Sequence, residues 1–120
     1  MELTPYDKEY QDCKEVFLAT FKPLAEEFYQ EKKSQFTRST ATRYYLVADA
    51  WIEYLHGYTD CLEYKDIKVS DVNSKFFAAV RYQELYGFDS SEVKSKLKKF
   101  VYFLQERGYE NPNVIKAINK

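Results

Sequence analysis

Turn-forming residues are scarce in this chain, which has three glycines and three prolines among 120 residues. That is about 5%, where an average chain carries roughly 12%. A sandwich or barrel of many strands needs a turn signal roughly every 8–12 residues, so the scarcity argues against that architecture. Cysteine is scarce too. Cys13 and Cys61 form no CxxC pair, which predicts reduced thiols and a cytoplasmic setting rather than a disulfide framework. One histidine and two cysteines fall short of a zinc site. Gly57, Gly87 and Gly108 each read as a helix stop, so no glycine-rich phosphate loop remains. No cofactor or metal is expected. Apolar runs fall far short of the roughly 20 residues a membrane span needs. The segment Met1 to Asp7 lacks the basic and apolar regions of a signal peptide. A net charge of -1 excludes a uniformly basic nucleic-acid glue.

Aromatic side chains are abundant instead: 12 tyrosines, nine phenylalanines and one tryptophan, in a sequence 45% apolar. Such a chain folds, and its length suits one domain. The periodicity is helical throughout. Thr4-Pro5 reads as an N-cap with proline at the first helical position, and Pro23 predicts a break or kink near Lys22. Lys32 to Ser39 reads as a polar connector. A central helix is expected from about Thr40 to His56, capped by Ser39 or Thr40 and stopped by Gly57. It carries Tyr44, Ala48, Trp51, Ile52 and Leu55 on one stripe, with Leu46, Val47, Ala50 and Tyr54 behind. A helix apolar nearly all round is covered by its neighbours. Residues 58–69 read as a loop, and Ser70-Asp71 as the opening of a helix ended by Gly87. Asp89, Ser90 or Ser91 caps the next helix, with Val93, Leu97, Phe100, Val101 and Leu104 on its core stripe. Gly108 stops that helix, and Asn111-Pro112 starts a short last one.

Charge is segregated along the chain. Residues 1–31 carry a net -5, residues 32–43 a net +4, residues 44–89 a net -4 and residues 90–120 a net +4. The first basic segment holds Lys32, Lys33, Arg38 and Arg43, with Thr37, Ser39, Thr40 and Thr42 as hydroxyl donors at a helix start. In the second, Lys94, Lys98 and Lys99 flank an outward Tyr102, opposite the core stripe. Both patterns suit phosphate contacts, and both also suit ordinary solvated helix surface. His56 reads as a helix C-terminal cation, and neither cysteine has the basic setting of a nucleophile. No paired acid and base is placed by spacing, so an enzyme is not expected.

Ser-Thr-Ala-Thr-Arg-Tyr-Tyr at 39–45, followed by Ala48, Trp51, Ile52 and Tyr54-Leu55, resembles the second helix of the core-binding domain of tyrosine recombinases and phage integrases. The continuation is similar: Asp66-Ile67, a helix opening at Ser70-Asp71-Val72 with Phe76-Phe77, then Leu97 to Leu104, Gly108 and Asn111-Pro112. The resemblance covers roughly residues 23–113. It implies an all-α, compact orthogonal bundle of four core helices in a SAM-like arrangement, preceded by an extra acidic helix at 1–22 and followed by a short helix or tail at 114–120. It also implies a module that clamps double-stranded DNA with its second and fourth helices. Thr40, Thr42 and Arg43 would make contacts on one helix, and Lys94, Lys98 and Lys99 on the other. Lys32, Lys33 and Arg38 join that set from the charge pattern. The family's catalytic domain, with its Arg, His-x-x-Arg and nucleophilic Tyr, would begin after Asn111-Pro112, while this chain ends at Lys120. The expectation is therefore a non-catalytic DNA-binding module, either a free-standing relative or a fragment. The alternative is a protein-interaction adaptor or self-associating domain that keeps the fold without DNA, using Tyr6, Tyr10, Tyr102 and Tyr109.

Overall fold

In a computed structural model, which describes residues 5–80, 85 and 87–119, the chain is all-helical, with no strand among those residues. Helix α1 runs from Pro5 to Gln35, α2 from Arg38 to Tyr58, α3 from Ser74 to Val80, α4 from Ser90 to Glu106 and α5 from Pro112 to Ile118. Two short 3-10 turns, Tyr64–Asp66 and Val69–Asp71, lie between α2 and α3.

The break expected at Pro23 does not occur, so the boundary drawn at residue 22 falls inside one continuous helix. Proline removes the bond to the carbonyl four residues back, here that of Ala19. Pro23 and Ala19 are both solvent-exposed, so water can satisfy the freed carbonyl. Phe17, Phe21, Ala25 and Phe28 are buried on the opposite side of α1, spanning the proline. That continuous apolar stripe outweighs the local penalty. The connector is also shorter than 32–39: only Phe36 and Thr37 separate α1 from α2. Thr37, rather than Ser39 or Thr40, caps α2, its side chain accepting from the Thr40 amide at 3.2 Å.

Helix α2 is the hub. Val47, Ala48, Ala50, Trp51, Ile52, Tyr54 and Leu55 are buried and span an arc of about 200° around its axis at 3.6 residues per turn. The remaining side carries Asp49 and Glu53, both bound by Lys22 from α1. Gly57 does not stop the helix, which continues to Tyr58. The terminal carbonyls there are taken by a cation from α1: Lys14 Nζ donates to the Leu55 carbonyl at 3.2 Å and to that of Thr59. Lys14, only 7% exposed, therefore fills the C-terminal role that the sequence suggested for His56. Burial lowers its pKa.

The segment read as a loop is ordered by two buried polar side chains. Asp71 accepts the Tyr54 hydroxyl (3.2 Å) and the Lys68 amide (3.1 Å), while its carbonyl accepts the Trp51 indole N–H at 3.1 Å. Asn111 caps α5 through the Asn113 amide and donates to the carbonyls of Tyr64 (2.8 Å) and Ile67 (3.1 Å). Ser70-Asp71 consequently forms a 3-10 turn rather than the start of a helix, and α3 begins at Ser74. Asp89 caps α4 by accepting the Glu92 amide at 2.7 Å. Gly108 follows α4 with φ +93°, a left-handed conformation that favours glycine. Gly87 has φ +90°, but Thr4 and residues 81–84 and 86, which bear on two expected helix ends, lie outside the described residues.

Replacing Pro23 by Ala restores an amide donor within an exposed helix interior. The expected result in urea or thermal unfolding is a gain of about 1–2 kcal/mol. A loss of stability would show that packing of α1 against α2 requires the proline.

Candidate nucleic-acid interface

The end of α1, the start of α2 and the first half of α4 converge on Tyr44. Phe28 meets the Tyr44 ring edge-on at 6.0 Å between centroids, and Phe36 stacks on it at 5.5 Å with an interplanar angle of 16°. Two ammonium groups approach the same ring: Lys32 of α1 at 5.2 Å and Lys96 of α4 at 4.7 Å from the centroid. Cations near an aromatic ring are held by its quadrupole. Tyr44 thereby joins the two basic segments of the sequence into one surface. Lys33 and Arg38, at the last turn of α1 and the first residue of α2, are exposed, and the Lys33 ammonium lies 5.9 Å from the Tyr29 ring.

Arg43 has a more structural setting than its sequence position suggested. Its Nε and Nη2 donate to the two oxygens of Glu92 at 2.6 and 2.5 Å, and its guanidinium lies 3.9 Å from the Phe88 ring centroid. Lys96 adds a second cation to Glu92 at 3.1 Å. This fork joins the start of α2 to the start of α4. It holds the Glu92 carboxyl well below the usual range, at about 2, with the Arg43 hydrogen bonds as the largest cause. The hydroxyls expected to face an anion are also engaged: Thr42 Oγ1 donates to the Arg38 carbonyl at 2.8 Å, and Thr40 Oγ1 lies 3.1 Å from that of Thr37.

Helix α4 divides the remaining lysines. At about 100° per residue, Lys96 and Lys99 fall within roughly 60° of each other, on the Glu92 side. Lys94 and Lys98 lie about 120–160° round from Glu92, on the other flank. Tyr102 is exposed, and its hydroxyl donates to Asn119 Oδ1 at 3.1 Å, toward α5. The structure thus brings Lys32 and Lys96 together at Tyr44 and ties Arg43 to Glu92 near the first turn of α2, where Thr40 and Thr42 lie; on the wheel Lys99 falls on the Glu92 side of α4, and Lys94 and Lys98 on the other flank. Lys96 and Phe36 are the functional candidates that sequence reasoning missed. Lys96 sits at the border of the core stripe. Its i, i+4 spacing from Glu92 was the available signal.

The chemistry elsewhere differs. A groove of about 680 Å³ beside the end of α2 is lined by Tyr10, Lys14, His56 and Asp60, among others. Nearby, Cys61 Sγ lies 4.0 Å from Asp71 Oδ2, and burial pushes up the Cys61 thiol and the Tyr54 phenol alike. Both therefore favour their neutral forms, unsuited to nucleophilic attack. Cys13 and Cys61 are both free thiols. Among the described residues, no group of three or more His, Cys, Asp or Glu is placed to hold a metal ion, and no helix is long and apolar enough to cross a membrane. No protein family's sequence profile matches the chain, and neither a curated protein nor a solved structure is detectably similar to it.

A carboxylate whose pKa falls on folding binds fewer protons in the native state than in the unfolded chain. The Glu92 fork therefore contributes stability above its ordinary pKa of 4.5 that drains away as the pH falls toward about 2. In urea unfolding between these pH values, stability should fall less steeply for Glu92→Gln than for the native protein. Parallel profiles would contradict the ion-pair assignment.

Proposed function

We propose that this chain is a non-catalytic, cytoplasmic DNA-binding module, related in fold and role to the SAM-like core-binding domain of tyrosine recombinases. The observation carrying this reading is the convergence of Lys32 and Lys96, from the two basic segments, over Tyr44. Lys32, Lys33, Arg38 and Lys96 serve there as four contacts to the phosphates of double-stranded DNA, with Lys99 on the Glu92 side of α4 next along the helix. Phosphate contacts of this kind orient a module on the duplex and carry no sequence information by themselves. Arg43 contributes by fixing α2 against α4 through Glu92, and Thr40 and Thr42 by closing the first turn of α2. The acidic first half of α1, with Asp7, Glu9, Asp12 and Glu15 exposed, faces a polyanion unfavourably. Such segregation of charge orients an encounter and suppresses indiscriminate adhesion.

A second reading, the protein-interaction adaptor, has one observation in its favour. A groove of about 340 Å³ between α1 and residues 108–110 is lined by Phe21, Tyr64 and Tyr109 beside Val16, which is 64% exposed. Of the tyrosines first considered for that role, Tyr10 and Tyr102 are hydrogen-bonded to Asp60 and Asn119, Tyr109 packs on Phe21, and the Tyr6 side chain lies outside the described residues.

Fluorescence anisotropy with a 20-base-pair duplex tests the DNA reading. Four phosphate contacts give a slope of about -3.6 for log K against log salt concentration. Reversing both Lys32 and Lys96 to Glu should weaken binding more than about ten-fold, and Lys98→Glu on the other flank less than about three-fold. Absence of binding at low salt, or a double variant that binds like the native protein, overturns the reading. A concentration-dependent dimer in sedimentation would favour the adaptor.

A further inference from the structure

Phe36 occupies a position that folding alone does not explain. It is one of the two residues linking α1 to α2, and it is 45% exposed in a chain that buries most of its phenylalanines. Its ring is not loose, because it lies nearly parallel to Tyr44 at 5.5 Å, and Tyr44 is in turn braced edge-on by Phe28. The half-exposed ring is thus a presented aromatic surface on a rigid base. Cations flank it: Lys32 and Lys96 lie over its stacking partner Tyr44, and Lys33, whose ammonium lies 5.9 Å from the Tyr29 ring, and Arg38 stand within three residues of it in the chain. An isolated exposed phenylalanine is unremarkable in a folded protein. One stacked on a tyrosine that two lysines approach has the chemistry of a stacking platform. An unpaired nucleotide presents the flat π-face of its base beside a backbone phosphate, whereas a paired base stacked inside a duplex offers no such face.

We propose that Phe36, backed by Tyr44, stacks on an unpaired base, so that this corner takes single-stranded DNA with its phosphates on Lys32, Lys33, Arg38 and Lys96. The inference rests on the nucleic-acid reading above and adds to its duplex contacts a site for a strand with accessible bases, such as a frayed end, a gap or a displaced strand. Stacking on an aromatic ring is tolerant of sequence, because every base has a π-face. The site therefore recognises the unpaired state and not a particular base. The Arg43–Glu92 fork has a positioning role here, since it sets Lys96 against Tyr44.

The test compares twelve-residue oligothymidylate with a blunt twelve-base-pair duplex, by anisotropy at low salt, for the native protein and two variants. Phe36→Ala removes the platform at an exposed link, and circular dichroism checks that its helix content is unchanged. It should weaken oligothymidylate about ten-fold and the duplex less than about two-fold. Phe36→Trp should bind oligothymidylate at least as well as the native protein. Equal losses for both ligands, no loss for either, or a Trp variant that behaves like the Ala variant would overturn the stacking site. Duplex binding without oligothymidylate binding would overturn this inference and leave the DNA reading standing. If neither ligand binds the native protein, both fall together.

Discussion

The wide apolar arc of α2 is the constraint from which the rest of the structure follows. Seven buried residues between Val47 and Leu55 take up more than half of its circumference, so the helix must be covered from several directions. Helix α1 supplies one cover along its Phe17–Phe28 stripe, and α4 another through Leu97, Phe100 and Leu104. The third cover comes from the 3-10 turns, where Asp71 takes the Trp51 indole and the Tyr54 hydroxyl. Trp51 also meets Tyr64 and Phe100 edge-on, at 6.4 and 6.3 Å. Once these covers are in place, the end of α1 and the start of α4 meet the N-terminal turns of α2. Tyr44 then has Lys32 on one side of the sequence and Lys96 on the other. The basic corner is a by-product of covering the hub.

Much of the fold was legible because its signals are local. The Asp89 cap, the positive-φ Gly108 and the Asn111-Pro112 start of α5 were readable within a few residues, and the structure holds each of them. The misreadings arose where a local rule met a distant partner. Pro23 argued for a break, but buried residues on both sides of it keep α1 continuous. Gly57 argued for a stop, but Lys14, some forty residues earlier, reaches the carbonyls at the end of α2. Ser70-Asp71 looked like a helix cap. The Asp71 side chain instead closes its own turn while holding Tyr54.

The candidate site was legible as charge and illegible as geometry. Counting residues found both basic segments, and a wheel found the outward face of α4. Neither could show that Arg43 is already forked on Glu92, or that Tyr102 turns toward Asn119. Lys96 escaped because it borders the core stripe, where its stem is mostly covered and its ammonium reaches Glu92 and Tyr44. Phe36 escaped because the connector was drawn too long. Within a chain of net charge -1, α1 itself is acidic at its start and basic where it finishes.

Backbone amide chemical shifts measured during titration with a DNA oligonucleotide test the central claim most directly. The account predicts that perturbations concentrate at residues 32–44 and 88–99, with Phe36, Tyr44 and Lys96 among the largest. It predicts little change across the acidic first half of α1 and the groove beside His56. Perturbations centred on that groove, or on Lys94 and Lys98 without the Tyr44 corner, would contradict it.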